Sequence, residues 1–183
     1  MKPIVYALSP KEATRMMDCY LDCGRRLYWS HTKETLGNAD LLDVICQMTV
    51  SNTNLAFASE IGLKLLVYSE TRNPVFKKHD LSYLFSLLSP TIQVAIRALT
   101  LSRYNLAIIN QPPITEEDFS NLLEQNKDAF VEGRYWYEQT SAGKKSTGNL
   151  FVLSFAEAIK QFVDLFPFKE KMLWIHTEPP IES

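Results

Sequence analysis

Several kinds of segment are missing from this chain, and each absence removes a class of protein. No apolar run approaches the roughly eighteen residues of a membrane span, so no transmembrane helix is expected. The opening MKPIVYALSPKEA has too short an apolar run for a secretory leader, so a cytoplasmic protein is expected. Charge of one sign is not in excess. Lys and Arg number 19 against 21 Asp and Glu, which leaves no global pull toward nucleic acid, only the room for a local patch. Cysteine is scarce and odd in number: Cys19, Cys23 and Cys46 read as free thiols in a cytosolic chain. Cys19 and Cys23 share a helix face and can be imagined as metal ligands with His31. Lone helical cysteines are usually small core residues, so no metal and no cofactor is expected. Internal repeats, low-complexity tracts and convincing strand alternation are absent as well. A phosphate-cradling loop also fails to appear. Gly143-Lys144-Lys145-Ser146-Thr147 lacks the leading Gly at the right distance and any preceding strand; its lysines read as an exposed loop.

What remains is the material of a helical domain. A hydrophobic share of 46% against 22% charge affords a sizeable core, and 183 residues make most simply one domain, its core over about 39–166. Ser9-Pro10-Lys11-Glu12 is a capping box with Pro at the first helical position, and predicts a helix from Pro10 to about Trp29, packed on that core. From Ala39 to Ser69 nothing breaks the helical pattern decisively, which is a rod of about 46 Å at ~1.5 Å per residue. The β-branched, Asn-rich run Thr49 to Asn54 predicts a kink or break within it. Asn73-Pro74 ends this helix. Asp80 caps a second one carrying Leu81, Leu84, Phe85 and Leu88, expected antiparallel to the first. Ser89-Pro90 starts a helix to about Tyr104, Thr115 to Asp118 opens another to about Glu124, and Lys127 to Val131 forms a short one. Asn149 caps a last long helix to Leu165, stopped by Pro167, with a loose tail after Trp174. The fold class is all-α.

Three polar residues sit where the apolar periodicity wants core. Glu60 and Lys64 stand four apart on one helix face, with the acid toward the N-terminus as an i,i+4 pair prefers. A surface ion pair is the plain reading. Apolar neighbours on most sides argue instead for a buried network reaching His79, Arg134 or Tyr137, because buried charges need partners. The cluster Arg134-Tyr135-Trp136-Tyr137 can stack on a base, but more often such a cluster packs a loop on the core.

Ser59-Glu60-x-x-Leu63-Lys64-x-Leu66, followed by His79-Asp80-Leu81-x-x-Leu84-Phe85-x-x-Leu88, resembles the HEPN family of small helical domains. Phe130-x-x-x-Arg134-Tyr135-x-Tyr137-Glu138 is similar to a downstream element of the same branch. Together they span under half of the chain. The resemblance implies an up-and-down bundle of four to five main helices with short extra ones, usually a homodimer. It also implies metal-independent ribonuclease activity, with four to six residues between an Arg and a His. Arg72 to His79 fits that signature, with Asn73 after the Arg and Asp80 in the network behind it.

The chemistry suits those residue types. Cleavage of RNA by its own 2′-hydroxyl needs a proton acceptor near neutral pH, which His supplies. A guanidinium neutralises charge building on the phosphate, and Lys77 and Lys78 add attraction for the backbone. Arg26 and His31 satisfy the same spacing in a place that resembles nothing in the family. In this branch His79 can also serve structure alone. Two readings therefore stand side by side: a ribonuclease of a defence or toxin–antitoxin system, and a non-catalytic HEPN module that binds nucleotide, RNA or a partner protein such as an antitoxin.

Overall fold

The computed structural model describes residues 9–34, 41–73, 75, 78–108, 112–134 and 149–166. These residues form seven α-helices and, among themselves, no strand: α1 (Pro10–Glu34), α2 (Leu41–Thr71), α3 (Leu81–Ser86), α4 (Pro90–Ala107), α5 (Glu116–Gln125), α6 (Ala129–Arg134) and α7 (Asn149–Leu165). The class is all-α, as the periodicity predicts.

Capping chemistry sets several helix starts. The Ser9 amide and hydroxyl both donate to Glu12 Oε2, at 2.7 and 2.9 Å, and the Glu12 amide returns a bond to Ser9 Oγ at 3.2 Å. That is a capping box, and it satisfies donors the first turn cannot pair internally. Thr115 and Asp118 form a second one at α5. Asp80 accepts from the Tyr83 amide at 2.7 Å and starts α3. Helix α1 runs past Trp29, where its end was expected, to Glu34. The second helix of the central pair is only the six residues of α3, and Leu87 is its C-cap.

Helix α2 is the axis of the molecule. Helices α1, α3, α6 and α7 all pack on it, and between Leu55 and Val67 it buries residues on every side, including Leu55, Ala58, Leu63, Leu65 and Leu66. The predicted break at Thr49 to Asn54 does not occur: α2 runs unbroken from Leu41 to Thr71. The polar side chains that argued for a break bond back along the helix instead. Thr49, Thr53 and Asn54 each donate to the carbonyl four residues earlier at 2.8 Å. Ser51 crosses to α1 and donates to the Gly24 carbonyl at 2.8 Å from a fully buried position.

Two glycines allow the helices to approach this closely. A Cβ on Gly24 would stand 2.6 Å from Leu55 Cγ, and one on Gly62 would collide with Ile159 Cγ2 of α7 and come within 2.9 Å of Met17 Cε of α1. Aromatic rings fill the far side of the core. Phe119, Phe151 and Phe155 are fully buried, with Phe119 and Phe85 set at tilted or edge-on angles to their neighbours, the arrangement ring quadrupoles favour. No helix of the described residues is long and apolar enough to cross a membrane.

Candidate functional site

The middle of α2 presents Phe57, Glu60 and Lys64 at steps of three and four, hence on one face. Glu60 is buried, with 3% of its side chain exposed. An isolated carboxylate in that position would be costly, and the structure supplies two partners. Lys64 Nζ, itself only 11% exposed, donates to Oε1 at 2.7 Å. His79, which precedes α3, brings Nδ1 to 3.1 Å from Oε1 and 3.0 Å from Oε2.

His79 is held at the edge of the interior. Its side chain is 46% exposed while the carboxylate it touches is enclosed. A carboxylate accepts and does not donate, so Nδ1 carries the proton of this contact. In the neutral ring that leaves the lone pair on Nε2. The imidazole also sits by Phe130 of α6, with ring centroids 5.8 Å apart. Phe130 stacks on Phe57 at 4.3 Å, and Phe57 meets Tyr20 of α1 edge-on at 4.5 Å. A run of half-buried rings thus leads from α1 across α2 to the imidazole and fixes its angle. The Leu81 amide donates to the Lys127 carbonyl at 2.9 Å, which ties the start of α3, two residues beyond His79, to the turn before α6.

Arg72 is anchored elsewhere. It follows the last residue of α2 with φ of 58°, a left-handed conformation that a helix end usually gives to Gly. Its amide donates to the Tyr68 carbonyl at 2.8 Å, and its guanidinium carbon lies 5.9 Å from the centroid of the Tyr68 ring. Tyr68 stands eight residues beyond Glu60, roughly 12 Å along the helix axis at 1.5 Å per residue. The structure therefore brings together His79, Glu60 and Lys64, and sets Arg72 against its own helix further along.

The other residues singled out in the sequence are distributed around this centre. Asn73 is exposed, and its amide donates to Thr71 Oγ1 at 3.1 Å. Lys78 is exposed with its ammonium 5.5 Å from the Tyr83 ring centroid. Asp80 caps α3 and faces the Tyr83 amide rather than the carboxylate. Lys77 and Tyr137 lie outside the described residues, as does the side chain of Arg134. Among the described residues no three His, Cys, Asp or Glu side chains are placed to hold a metal ion.

A second polar cluster had no signal in the sequence. Glu157 of α7, 17% exposed, receives Arg25 of α1 on Oε1 through Nε and Nη2, both at 2.7 Å. Arg103 of α4 reaches Oε2 through Nη1 at 2.7 Å. These partners are 132 and 54 residues away in sequence, beyond any local pattern.

No family model matches the chain, and no curated protein and no solved structure matches it either.

Proposed function

We propose that this chain is a HEPN-type up-and-down helical bundle that acts on RNA, with His79 moving the proton in metal-independent cleavage by the RNA's own 2′-hydroxyl. The observation that carries the reading is the Glu60–His79 contact. A buried carboxylate holds Nδ1 at about 3 Å while nearly half of the ring meets solvent. That arrangement fixes the tautomer, leaves Nε2 to accept a proton, and steadies the imidazolium once it forms. Lys64 sets an opposite charge against the enclosed Glu60 carboxylate, at 2.7 Å.

The phosphate is neutralised in this proposal by Arg72, with Lys78 and Lys77 drawing the backbone in and Asn73 beside them. Arg72 lies over Tyr68, and in a homodimer a second copy would supply a further guanidinium. A homodimer would also provide two imidazoles, one as base and one as acid. The biological setting that follows is a defence or toxin–antitoxin system with a neutralising partner protein.

A second reading has its own observation. The Glu60–His79 contact joins α2 to the start of α3 and would stabilise the bundle without any reaction, while Arg72 is tied to its own helix. On this reading the chain is a non-catalytic HEPN module that binds nucleotide, RNA or a partner protein. One experiment separates the two. The wild-type protein should degrade single-stranded RNA in excess chelator, and His79→Ala should abolish this with the far-UV circular dichroism unchanged. RNA left intact by the wild type, or cut equally by the variant, discards the catalytic reading.

A further inference from the structure

On the flank of α1 away from Tyr20, helices α1 and α4 stand on either side of α7, and their arginines meet over Glu157. Arg25 and Tyr20 are five residues apart and project about 140° from each other, so this surface patch is separate from the rings that lead to the imidazole. Two guanidiniums serve one carboxylate there. Arg25 remains 40% and Arg103 34% exposed, and Asp22 approaches Arg25 only at 3.9 Å from a 63% exposed side chain, a contact that solvent screens heavily. Arg26 is exposed on the next position of α1. Aromatic rings line the same end. Trp29, 54% exposed, meets Tyr28 edge-on at 5.3 Å, and Tyr104 follows Arg103 on α4. Burial, and then the nearby Tyr104, push the Tyr28 hydroxyl above its usual range, so it stays protonated and able to donate.

A carboxylate that sets the direction of two arginines beside an exposed indole is suited to a chain of phosphates with unpaired bases. We propose that this patch is a contact surface for single-stranded RNA, with Arg25 and Arg103 meeting a backbone phosphate and Trp29 stacking on a base. It rests on the reading of RNA as the ligand, but not on cleavage. The guanidinium pair supplies the salt-dependent part of the binding, and the indole supplies a part that tolerates any base.

The test uses the full chain carrying His79→Ala, in chelator, with a fluorescein-labelled oligouridine of roughly a dozen nucleotides, a length within the span one such surface covers. Anisotropy is followed between about 50 and 200 mM salt. Trp29→Ala, a change at an exposed position, should weaken binding roughly 5- to 100-fold. Arg103→Gln should lower the salt slope by about 0.7, and Arg103→Lys, which keeps the charge and the reach to Glu157, should restore it. A clamp with only a structural role would leave Trp29→Ala at wild-type affinity, and that result overturns the proposal. So does displacement of the RNA by polyglutamate at equal strength, which would mark an acidic protein segment as the occupant. Failure of the protein that retains His79 to cleave RNA in chelator would remove the catalytic reading and leave this one standing.

Discussion

Replacing Glu60 by Gln probes the centre of the molecule with almost no change of shape. The substitution leaves Lys64, with only 11% of its side chain exposed, without a counter-charge, and turns an amide toward groups that donate. Removing one partner of a buried ion pair typically costs about 3–5 kcal/mol, because the other charge stays enclosed. His79 is half in solvent, and its share is small for the reason that exposed pairs contribute little. The expected loss is therefore about 3 kcal/mol, seen in urea unfolding followed by circular dichroism. For a domain of this size it corresponds to a fall in Tm of roughly 6–12 °C. The matching control is Glu60→Leu combined with Lys64→Met, which replaces the pair with apolar groups. It should return to within about 1 kcal/mol of the wild type, since the cost of burying both charges disappears as well. The two sites are in direct contact, so the single losses should not add. A Glu60→Gln loss below about 1 kcal/mol, or a double variant as unstable as the sum of its parts, would refute the claim that this carboxylate is buried and paired.

Two further outcomes follow from particular groups. Arg72→Gly relieves a left-handed residue with a side chain and should raise stability by about 0.5–1 kcal/mol even though the Tyr68 contact is lost; a measured loss would show that the guanidinium matters more to the fold than the strained backbone does. Acid should weaken the starts of α1 and α5. Bonds from the Ser9 amide and hydroxyl hold Glu12 below its ordinary 4.5, and bonds from Thr115 hold Asp118 below its ordinary 3.8. A depressed carboxyl contributes stability that is present above the unfolded pKa and lost as pH falls through the folded one. The Ser9 and Thr115 amides, which donate to those carboxylates, should therefore lose protection relative to their intrinsic exchange rates as pH drops below those ordinary values, and unchanged protection there would refute the capping account.

Local chemistry was legible from the residues alone wherever it was settled within one turn of helix. Ser9 with Glu12, Asp80 before Leu81, and Thr115 with Asp118 all mark helix starts because a cap bonds its own next turn. The apolar spacing of Leu55, Ala58, Ile61, Leu65 and Leu66 showed the helical class for the same reason. The break expected at Thr49 to Asn54 failed because propensity is a weak prior. Their side chains bond back along α2, and Ser51 finds a carbonyl on α1 that no local pattern names. Position 72 shows the same limit: Asn73-Pro74 located the helix end, while the left-handed backbone of Arg72 and its contact with Tyr68 came only with the fold. Sequence by itself therefore determined that the chain is helical and that Glu60 with Lys64 shares a face, since both are properties of a single helix. Tertiary structure alone decided that Glu60 meets His79, that Gly24 and Gly62 stand at helix crossings, and that Glu157 gathers Arg25 and Arg103. Those contacts depend on how helices distant along the chain are laid against one another, which no spacing of three or four residues encodes.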